Sequence, residues 1–294
     1  TNLVLTRGRA ATYATEPSAF SNILIGGEKI VGMLTDAEAA AIAPMCAAII
    51  DGAGLVAVPG LVDIHVHLTG GGGENGPKSQ CHEVSLSELV KFGVTTAVGV
   101  LGTDSVTRTP DALLGRCQAL ADEGLTTYMY AGSYHVPPVT VTSSLMKDMV
   151  ALREVIGVGE VAIADTRGSQ PTTQQLKELA AQVRTAGLLS NKTGVMYCHV
   201  GKEKAMLSQL WEVVADGFPI QHIVPTHCHR SAPLIKDSFN WMEAGGYADF
   251  TAGGANTRGA ITDAWELHGH IDRLCISSDA GGSLPRFDAS GALV

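Results

Sequence analysis

The feature that most constrains the fold is an alternation, from residue 59 onward, of short apolar β-branched runs with longer segments of helical periodicity. This alternation is typical of βα units that pack helices against a parallel sheet. Eight runs are predicted to be strands: 61–67, 95–101, 126–131, 159–164, 195–199, 223–227, 248–251 and 274–279. Because eight parallel strands close a barrel, the sequence predicts an α/β fold, a (β/α)₈ TIM barrel over residues 59–294.

Segments of helical period lie between the predicted strands, near 83–92, 110–123, 142–155, 172–188, 202–215, 232–244 and 262–270. An eighth helix would have to follow Asp279, but the remaining residues include three glycines and Pro285, which disfavour a helix. We therefore expect a barrel that lacks its last helix and is C-terminally incomplete.

The first 58 residues read as short strands separated by turn signals, and the pair Gly26-Gly27 between two apolar runs indicates a hairpin. We expect a small N-terminal β-strand domain over residues 1–58, a partial β-sandwich. The Ala-rich segment 36–48 fits a helix or a loop, and the sequence does not decide between them.

Charge and cysteine usage exclude several classes of function. The net charge of -9, without a basic run, argues against nucleic acid or an anionic membrane as the partner and favours a small polar ligand. Six cysteines without a C-x-x-C pair fit reduced thiols. The most apolar stretch, 37–50, is broken by Pro44 and too short to span a bilayer. A cytoplasmic location is expected.

The run 59–67, PGLVDIHVH, ends in His65-x-His67. Residues i and i+2 of a strand point to the same side, so both imidazoles can reach one metal ion. Two core histidines with satisfied hydrogen bonds are the alternative. The position at the end of the first barrel strand favours metal, because catalytic residues of such barrels lie at the carboxyl ends of strands.

Three further predicted strands end in potential ligands, which are His199, His227 and Asp279. In the fourth strand, Glu160 interrupts an apolar run. A buried carboxylate is unfavourable unless it is paired or bound to metal, and a two-metal site needs a bridging ligand. Glu160 is the candidate bridge, with a structural ion pair as the alternative.

Together, the run 59–67, His199, His227 and Asp279 resemble the binuclear amidohydrolase superfamily. The segments 70–74, 101–105, 132–137, 155–158 and 225–227 resemble the isoaspartyl dipeptidases (beta-aspartyl-peptidases) in particular, and the similarity runs from about residue 3 to 290. It implies His65, His67 and Asp279 on one ion and His199 and His227 on the other. It also implies Glu160 as the bridge, where many members of the superfamily carry a carboxylated lysine. Two divalent ions are implied, with Zn²⁺ expected from the ligand types.

The resemblance also implies a substrate pocket. Glu74, after four glycines, would bind the substrate's α-ammonium group, and Tyr134 would polarise the scissile carbonyl; a structural tyrosine is the alternative for the latter. Two arginines would each hold a substrate carboxylate, and two hydroxyl residues would help to bind the substrate: Arg167, Arg230, Thr103 and Ser283.

The implied activity is hydrolysis of β-aspartyl dipeptides to aspartate and an amino acid, by attack of a metal-bridging hydroxide. Asp279 would shuttle the proton, with Tyr134 and Glu160 completing the catalytic set. A different binuclear amidohydrolase, such as a D-aminoacylase or cyclic-amide hydrolase, remains open, as does a non-catalytic or truncated member. Relatives imply a homo-oligomer.

Overall fold

The computed structural model describes residues 3–10, 22–253, 256–263 and 271–283. The chain divides into two compact units, Thr1–Gly60 and Leu61–Val294. Among the described residues no helix is long and apolar enough to cross a membrane.

The N-terminal unit contains a four-stranded sheet in the order β3-β2-β1-β4. Its strands are β1 (Leu3–Ala10), β2 (Asn22–Gly26), β3 (Lys29–Leu34) and β4 (Ala48–Ala57). The hairpin predicted at Gly26-Gly27 is present: β2 and β3 pair antiparallel, and Gly27 has a φ of 62° in the turn. The described residues form a single sheet here, so the second layer of the predicted sandwich is not among them.

The segment that the sequence left undecided begins with a helix, α1 (Asp36–Ile42), and continues as a single 3₁₀ turn, Ala43–Met45. Thr35 and Glu38 form a capping box at the start of α1, in which each side chain bonds the other's backbone N–H. Pro44 lies just past the end of α1, where its missing N–H stops the α-helical hydrogen-bond ladder.

The second unit is built on parallel strands. Six form one sheet in chain order: β5 (Leu61–Val66), β6 (Val94–Gly99), β7 (Thr126–Ala131), β8 (Val155–Ile163), β9 (Val195–Val200) and β10 (Ile223–Thr226). Two more pair parallel with each other: β11 (Ala248–Thr251) and β12 (Leu274–Ser277). All eight predicted strand segments are therefore strands, with ends shifted by a few residues.

The sheet curls, because the β11–β12 pair lies between its two edges. On one side, Cys228 N donates to Asp249 O at 3.1 Å; on the other, Asp279 N donates to His65 O at 3.1 Å and His67 N to Ala280 O at 2.8 Å. This curled parallel sheet is consistent with the predicted TIM barrel. Its consequence is that the carboxyl ends of strands distant in sequence meet at one end.

Helices connect the strands: α2 (Leu86–Val90), α3 (Pro110–Asp122), α4 (Leu145–Ala151), α5 (Thr173–Ser190), α6 (Ser208–Ala215), α7 (Ala232–Glu243) and α8 (Thr257–Asp263). Four begin after a capping hydroxyl, supplied by Thr109, Ser144, Thr172 and Ser231. The helix predicted at 262–270 begins earlier, at Thr257, and residues 264–270 lie outside the described residues. The predicted absence of a last helix concerns residues 284–294, which also lie outside them.

Apolar side chains from the sheet and helices form the main core of this unit, and a second cluster fills the inside of the curl. In that inner cluster the rings of Tyr130 and Tyr197 stack with centroids 4.9 Å apart. The ring of Tyr197 also packs edge-on against that of His65, with centroids 5.3 Å apart, so the inner core contacts the first predicted ligand.

Two leucines of α5 provide a test of this core. Leu176 is 0% exposed, whereas Leu188 is 71% exposed. We expect Leu176→Ala to lower the free energy of unfolding by about 2–5 kcal/mol, because it opens a cavity. Leu188→Ala should change it by less than about 0.5 kcal/mol. Chemical denaturation of both variants measures the difference, and equal losses would contradict the packing described.

Candidate active site

The first group of predicted ligands lies at the carboxyl ends of β5 and β12. His65 and His67 are buried on the same side of the strand, as the H-x-H spacing predicts. Their Nε2 atoms lie 3.4 and 3.5 Å from Oε1 of Glu160 and 3.5 and 3.2 Å from Oδ1 of Asp279. Four side chains, three from strand ends and Glu160 from within β8, thus converge on one small space.

The second group faces the other oxygen of the same carboxylate. His199 Nδ1 lies 3.0 Å from Glu160 Oε2, and His227 Nε2 lies 3.5 Å from it. Glu160, which is 1% exposed, therefore presents one oxygen to each histidine pair. The geometry brings together all six residues predicted as ligands.

The spacing of these atoms fits a metal better than direct hydrogen bonding. Several N···O distances are 3.4–3.5 Å, which is long for a hydrogen bond, and His65 Nε2 is buried without a hydrogen-bond partner. Ligands about 2.05 Å from a tetrahedral ion are about 3.3 Å from one another. Among the described residues, two groups have atoms placed to hold an ion: His65–His67–Glu160 and Glu160–His199–His227. Imidazole and carboxylate ligands of this kind suit a divalent transition metal.

Charge at this centre is balanced within the cluster. Burial would raise the pKa of Glu160, but positive charge on His65, the hydrogen bond from His199 and the nearby ring nitrogen of His227 hold it well below its usual value. Burial would lower the pKa of His65, and the carboxylates of Glu160 and Asp279 raise it to about 9. Burial lowers the pKa of His227 to about 3. The buried carboxylates are thus ionised and require positive charge beside them.

Two of the ligand positions have left-handed backbone. His227 has a φ of 62° and Asp279 a φ of 55°, each just past the end of its strand. This conformation is uncommon for residues other than glycine and costs on the order of 1–3 kcal/mol. It turns both side chains from the strand direction into the cluster, and such strain is concentrated at functional sites.

Three residues that the sequence analysis did not single out lie within hydrogen-bond distance of ring nitrogens of the predicted histidine ligands. Asp165 Oδ2 lies 2.9 Å from His199 Nε2, and Thr251 Oγ1 lies 2.8 Å from His227 Nδ1. Tyr197 OH lies 3.1 Å from His65 Nδ1. Such partners fix the ring orientation of a metal-binding histidine. Tyr197 precedes His199 by two residues and so shares its side of the strand, a signal that the sequence already contained.

A cavity opens onto the cluster, and every residue predicted to bind substrate lines it: Glu74, Thr103, Tyr134, Arg167, Arg230 and Ser283. Tyr134 is 5% exposed, and its ring lies 4.3 Å from that of His199. Burial raises the pKa of Tyr134 well above its usual value, so its hydroxyl keeps its hydrogen at neutral pH.

The polar wall of this cavity is a connected set. Arg167 binds both oxygens of Asp165, and its Nη1 lies 3.2 Å from Glu74 Oε1. The Thr103 hydroxyl donates to the same Glu74 oxygen at 3.1 Å. The pKa of Arg167 is raised by its hydrogen bonds to Asp165. Arg230 donates to the Val200 carbonyl. The cavity thus offers one carboxylate and two guanidinium groups beside the histidine cluster.

Glycines let the backbone approach His67. A Cβ atom on Gly102 would lie 2.7 Å from His67 Cε1, and one on Gly71 would lie 3.0 Å from His67 Nδ1. In the glycine run before Glu74, Gly70, Gly72 and Gly73 have positive φ values of 76°, 82° and 100°. These glycines are therefore required by backbone conformation or by close contact with a ligand ring.

Comparison with known proteins identifies the family. No family model matches the chain. The structure of a beta-aspartyl dipeptidase from Fervidobacterium islandicum AW-1, in complex with the β-Asp-Leu dipeptide, is 38% identical, with a TM-score of 0.90, over 99% of this chain and 77% of that one. The chain belongs to the β-aspartyl dipeptidase family. The resemblance seen in the sequence is thereby confirmed.

Two more distant similarities concern the fold and a part of the sequence. The phosphotriesterase homology protein of Escherichia coli (15% identity, TM-score 0.57, 76% of this chain and 83% of that one) shares the fold. Dihydroorotases of Streptococcus pyogenes are 28% identical over 177 residues, which is 60% of this chain. The matched region is 38% of the length of those dihydroorotases.

Substitution of Gly102 tests the contact with His67. We expect Gly102→Ala to displace the His67 ring and weaken binding of a divalent metal, tested with zinc as the probe, about 10- to 100-fold, the range seen when the surroundings of a ligand are disturbed. Competition with a chromophoric chelator measures this affinity. Gly115→Ala is the control, because its Cβ would have nothing within 4 Å. Gly115 lies within α3, where alanine should keep zinc affinity and add about 0.5–1 kcal/mol of stability. Unchanged affinity of Gly102→Ala would contradict the contact.

Proposed function

We propose that this protein is an isoaspartyl dipeptidase that hydrolyses β-aspartyl dipeptides with the help of two divalent metal ions. The observation that carries the proposal is the cavity, where Glu74, Arg167 and Arg230 surround the histidine cluster. Membership of the β-aspartyl dipeptidase family and a relative bound to β-Asp-Leu support it. We also propose that the curled sheet is a (β/α)₈ barrel, as the hydrogen bonds on both sides of the β11–β12 pair suggest.

His65, His67 and Asp279 would hold one ion, His199 and His227 the other, and Glu160 would contribute to both. The position of one Glu160 oxygen before each histidine pair supports this assignment. Zinc is the proposed metal from the ligand types. When bound, such ions lower the pKa of water to near 7 and polarise a carbonyl group.

Asp279 is the proposed proton carrier. Burial would raise its pKa, but His65, His67 and His227 hold it well below its usual value, so the carboxylate is ionised and can accept a proton from the attacking water. Its side chain also borders the cavity, from which it can deliver that proton to the leaving amine.

Tyr134 is the proposed donor to the oxyanion that develops on the scissile carbonyl. Its hydroxyl stays protonated and borders the same cavity. A single donor of this kind is worth about 2.7–4 kcal/mol in other enzymes.

Substrate recognition follows from charge. A β-aspartyl dipeptide carries a free α-ammonium group and two carboxylates. Glu74 would bind the ammonium group, and Arg167 and Arg230 would bind the carboxylates in the bidentate geometry that guanidinium groups favour. Thr103, which already donates to Glu74, would hold that carboxylate in place, and Ser283 would complete the lining.

A cyclic-amide hydrolase is the second candidate, favoured by the similarity to dihydroorotases. Its substrates lack a free ammonium group, so Glu74 would have no partner among them. Steady-state assays with β-Asp-Leu, dihydroorotate and an N-acetyl amino acid separate the two candidates. Faster turnover of dihydroorotate or of the N-acetyl amino acid would overturn the dipeptidase proposal.

Asp279→Asn tests the proton carrier. We expect turnover of β-Asp-Leu to fall about 10²- to 10⁴-fold, because the amide cannot accept the proton, while metal content measured by elemental analysis stays largely intact. The exposed Asp272→Asn is the control and should retain wild-type turnover. Retained turnover in Asp279→Asn would exclude it as the proton carrier.

Glu74→Gln tests recognition of the ammonium group. Losing a charged hydrogen bond of about 1.5–3 kcal/mol should lower kcat/KM for β-Asp-Leu by about one to two orders of magnitude. The exposed Glu123→Gln serves as the matched control and should not change kcat/KM. A Glu74→Gln variant with wild-type kcat/KM would show that this carboxylate does not bind the ammonium group.

A further inference from the structure

We propose that Tyr197 and Asp249 form a positioning pair that holds His65 in the tautomer able to bind metal through Nε2. This inference deepens the proposed function and rests on it, since it concerns how one proposed ligand is prepared. Neither residue reaches the substrate cavity. Both act through His65 and are positioning residues.

The pair forms a continuous chain behind the ligand ring. Tyr197 OH lies 3.1 Å from His65 Nδ1 and donates to Asp249 Oδ2 at 2.8 Å. All three side chains are fully buried, at 0% exposure. The edge-on contact of the Tyr197 ring with His65 keeps the hydroxyl near Nδ1. In the low dielectric of the inner core such hydrogen bonds are stronger than in water.

The direction of each hydrogen bond follows from the number of hydrogens. Asp249 Oδ2 also accepts from the hydroxyls of Thr226 and Ser277, both at 2.6 Å. Three hydroxyls thus point at this one oxygen, which acts only as an acceptor. Tyr197 has a single hydroxyl hydrogen, and that hydrogen is directed to Asp249. Its oxygen can therefore only accept from His65, which places a hydrogen on His65 Nδ1.

The consequence appears on the other side of the ring. A metal ion would take the place of the second ring hydrogen of His65, and the resulting neutral imidazole, with hydrogen on Nδ1, has its lone pair on Nε2. His65 Nε2 is the buried atom without a hydrogen-bond partner, and it faces Glu160 and Asp279. The hydrogen bonds of Tyr197 and Asp249 therefore leave His65 Nε2 free to bind a metal ion. Without the Asp249 acceptor, the Tyr197 hydroxyl would be free to donate to Nδ1 and favour the wrong tautomer.

A purely structural role is the competing explanation, because the network joins residues of β5, β9, β10, β11 and β12. That role predicts lower stability without a selective effect on metal binding. The two explanations are separated by a variant that removes only the Tyr197 hydroxyl and by a matched variant of its stacked neighbour.

The experiment compares Tyr197→Phe with Tyr130→Phe in the full chain. Tyr130 stacks on Tyr197 and is also buried, at 4% exposure, but no hydrogen bond joins its hydroxyl to His65 or Asp249 among the described residues. We expect Tyr197→Phe to weaken zinc binding about 10- to 100-fold in chelator competition, and Tyr130→Phe to change it less than about twofold. Wild-type affinity in Tyr197→Phe, or equal losses in both variants, would overturn the proposal.

A second measurement uses the unaltered protein and so does not depend on whether a variant folds. In the zinc-loaded protein with ¹⁵N-labelled histidine, we expect His65 to carry its hydrogen on Nδ1, identified by a nuclear Overhauser effect to the Tyr197 ring. A hydrogen on Nε2 would overturn the proposal.

Neither measurement uses a dipeptide. Zinc binding without β-Asp-Leu turnover would therefore reject the proposed function alone, whereas turnover with unchanged zinc affinity of Tyr197→Phe would reject this inference alone. A wild-type protein that binds no zinc would overturn both.

Discussion

The structure depends on one buried charge, the carboxylate of Glu160. It is 1% exposed, and an isolated ion would be strongly unfavourable at such a buried position. Histidines on both sides compensate it, one pair at each oxygen. Since these histidines come from the ends of three other strands, the requirement to neutralise a single side chain fixes where those strand ends must meet.

On the polar wall of the cavity, outside the histidine cluster, the charged side chains neutralise one another. There the charges are partly exposed, and Arg167 forms ion pairs with both Glu74 and Asp165. The charges that would bind a zwitterion are thus already placed and partly compensated by each other. In the proposed function, a ligand with an ammonium group and carboxylates would replace these contacts with equivalent ones, so that its binding would leave no charge unpaired.

The fold and the ligand cluster were predictable because they depend on local patterns. Alternation of strand and helix periods located the strands of the second unit, and side-chain alternation in β5 placed His65 and His67 on one side. Glu160 was found as a lone carboxylate in an apolar run. The same reasoning applies to Asp249 in the short strand Ala-Asp-Phe-Thr, but no motif drew attention to it.

The contacts that could not be predicted depend on distances across the curled sheet. Asp165 behind His199 and Thr251 behind His227 are ordinary residues in the sequence, and only the curl of the sheet places them behind a ring nitrogen. Helix ends were also predicted imperfectly: α6 begins at Ser208 rather than at 202. The intervening loop starts where Glu203 N bonds Ala164 O, a tertiary contact that overrides local helix propensity.

The contact between β12 and β5 has a consequence for assembly. The hydrogen bonds of Asp279 and His67 join the last described strand of the unit to its first, and both residues belong to the same cluster. An ion bound by His65, His67 and Asp279 would connect β5 to the segment that follows β12. If such an ion bound only the folded unit, it would shift the folding equilibrium toward that unit by mass action, and the stability of the protein would then depend on the metal concentration.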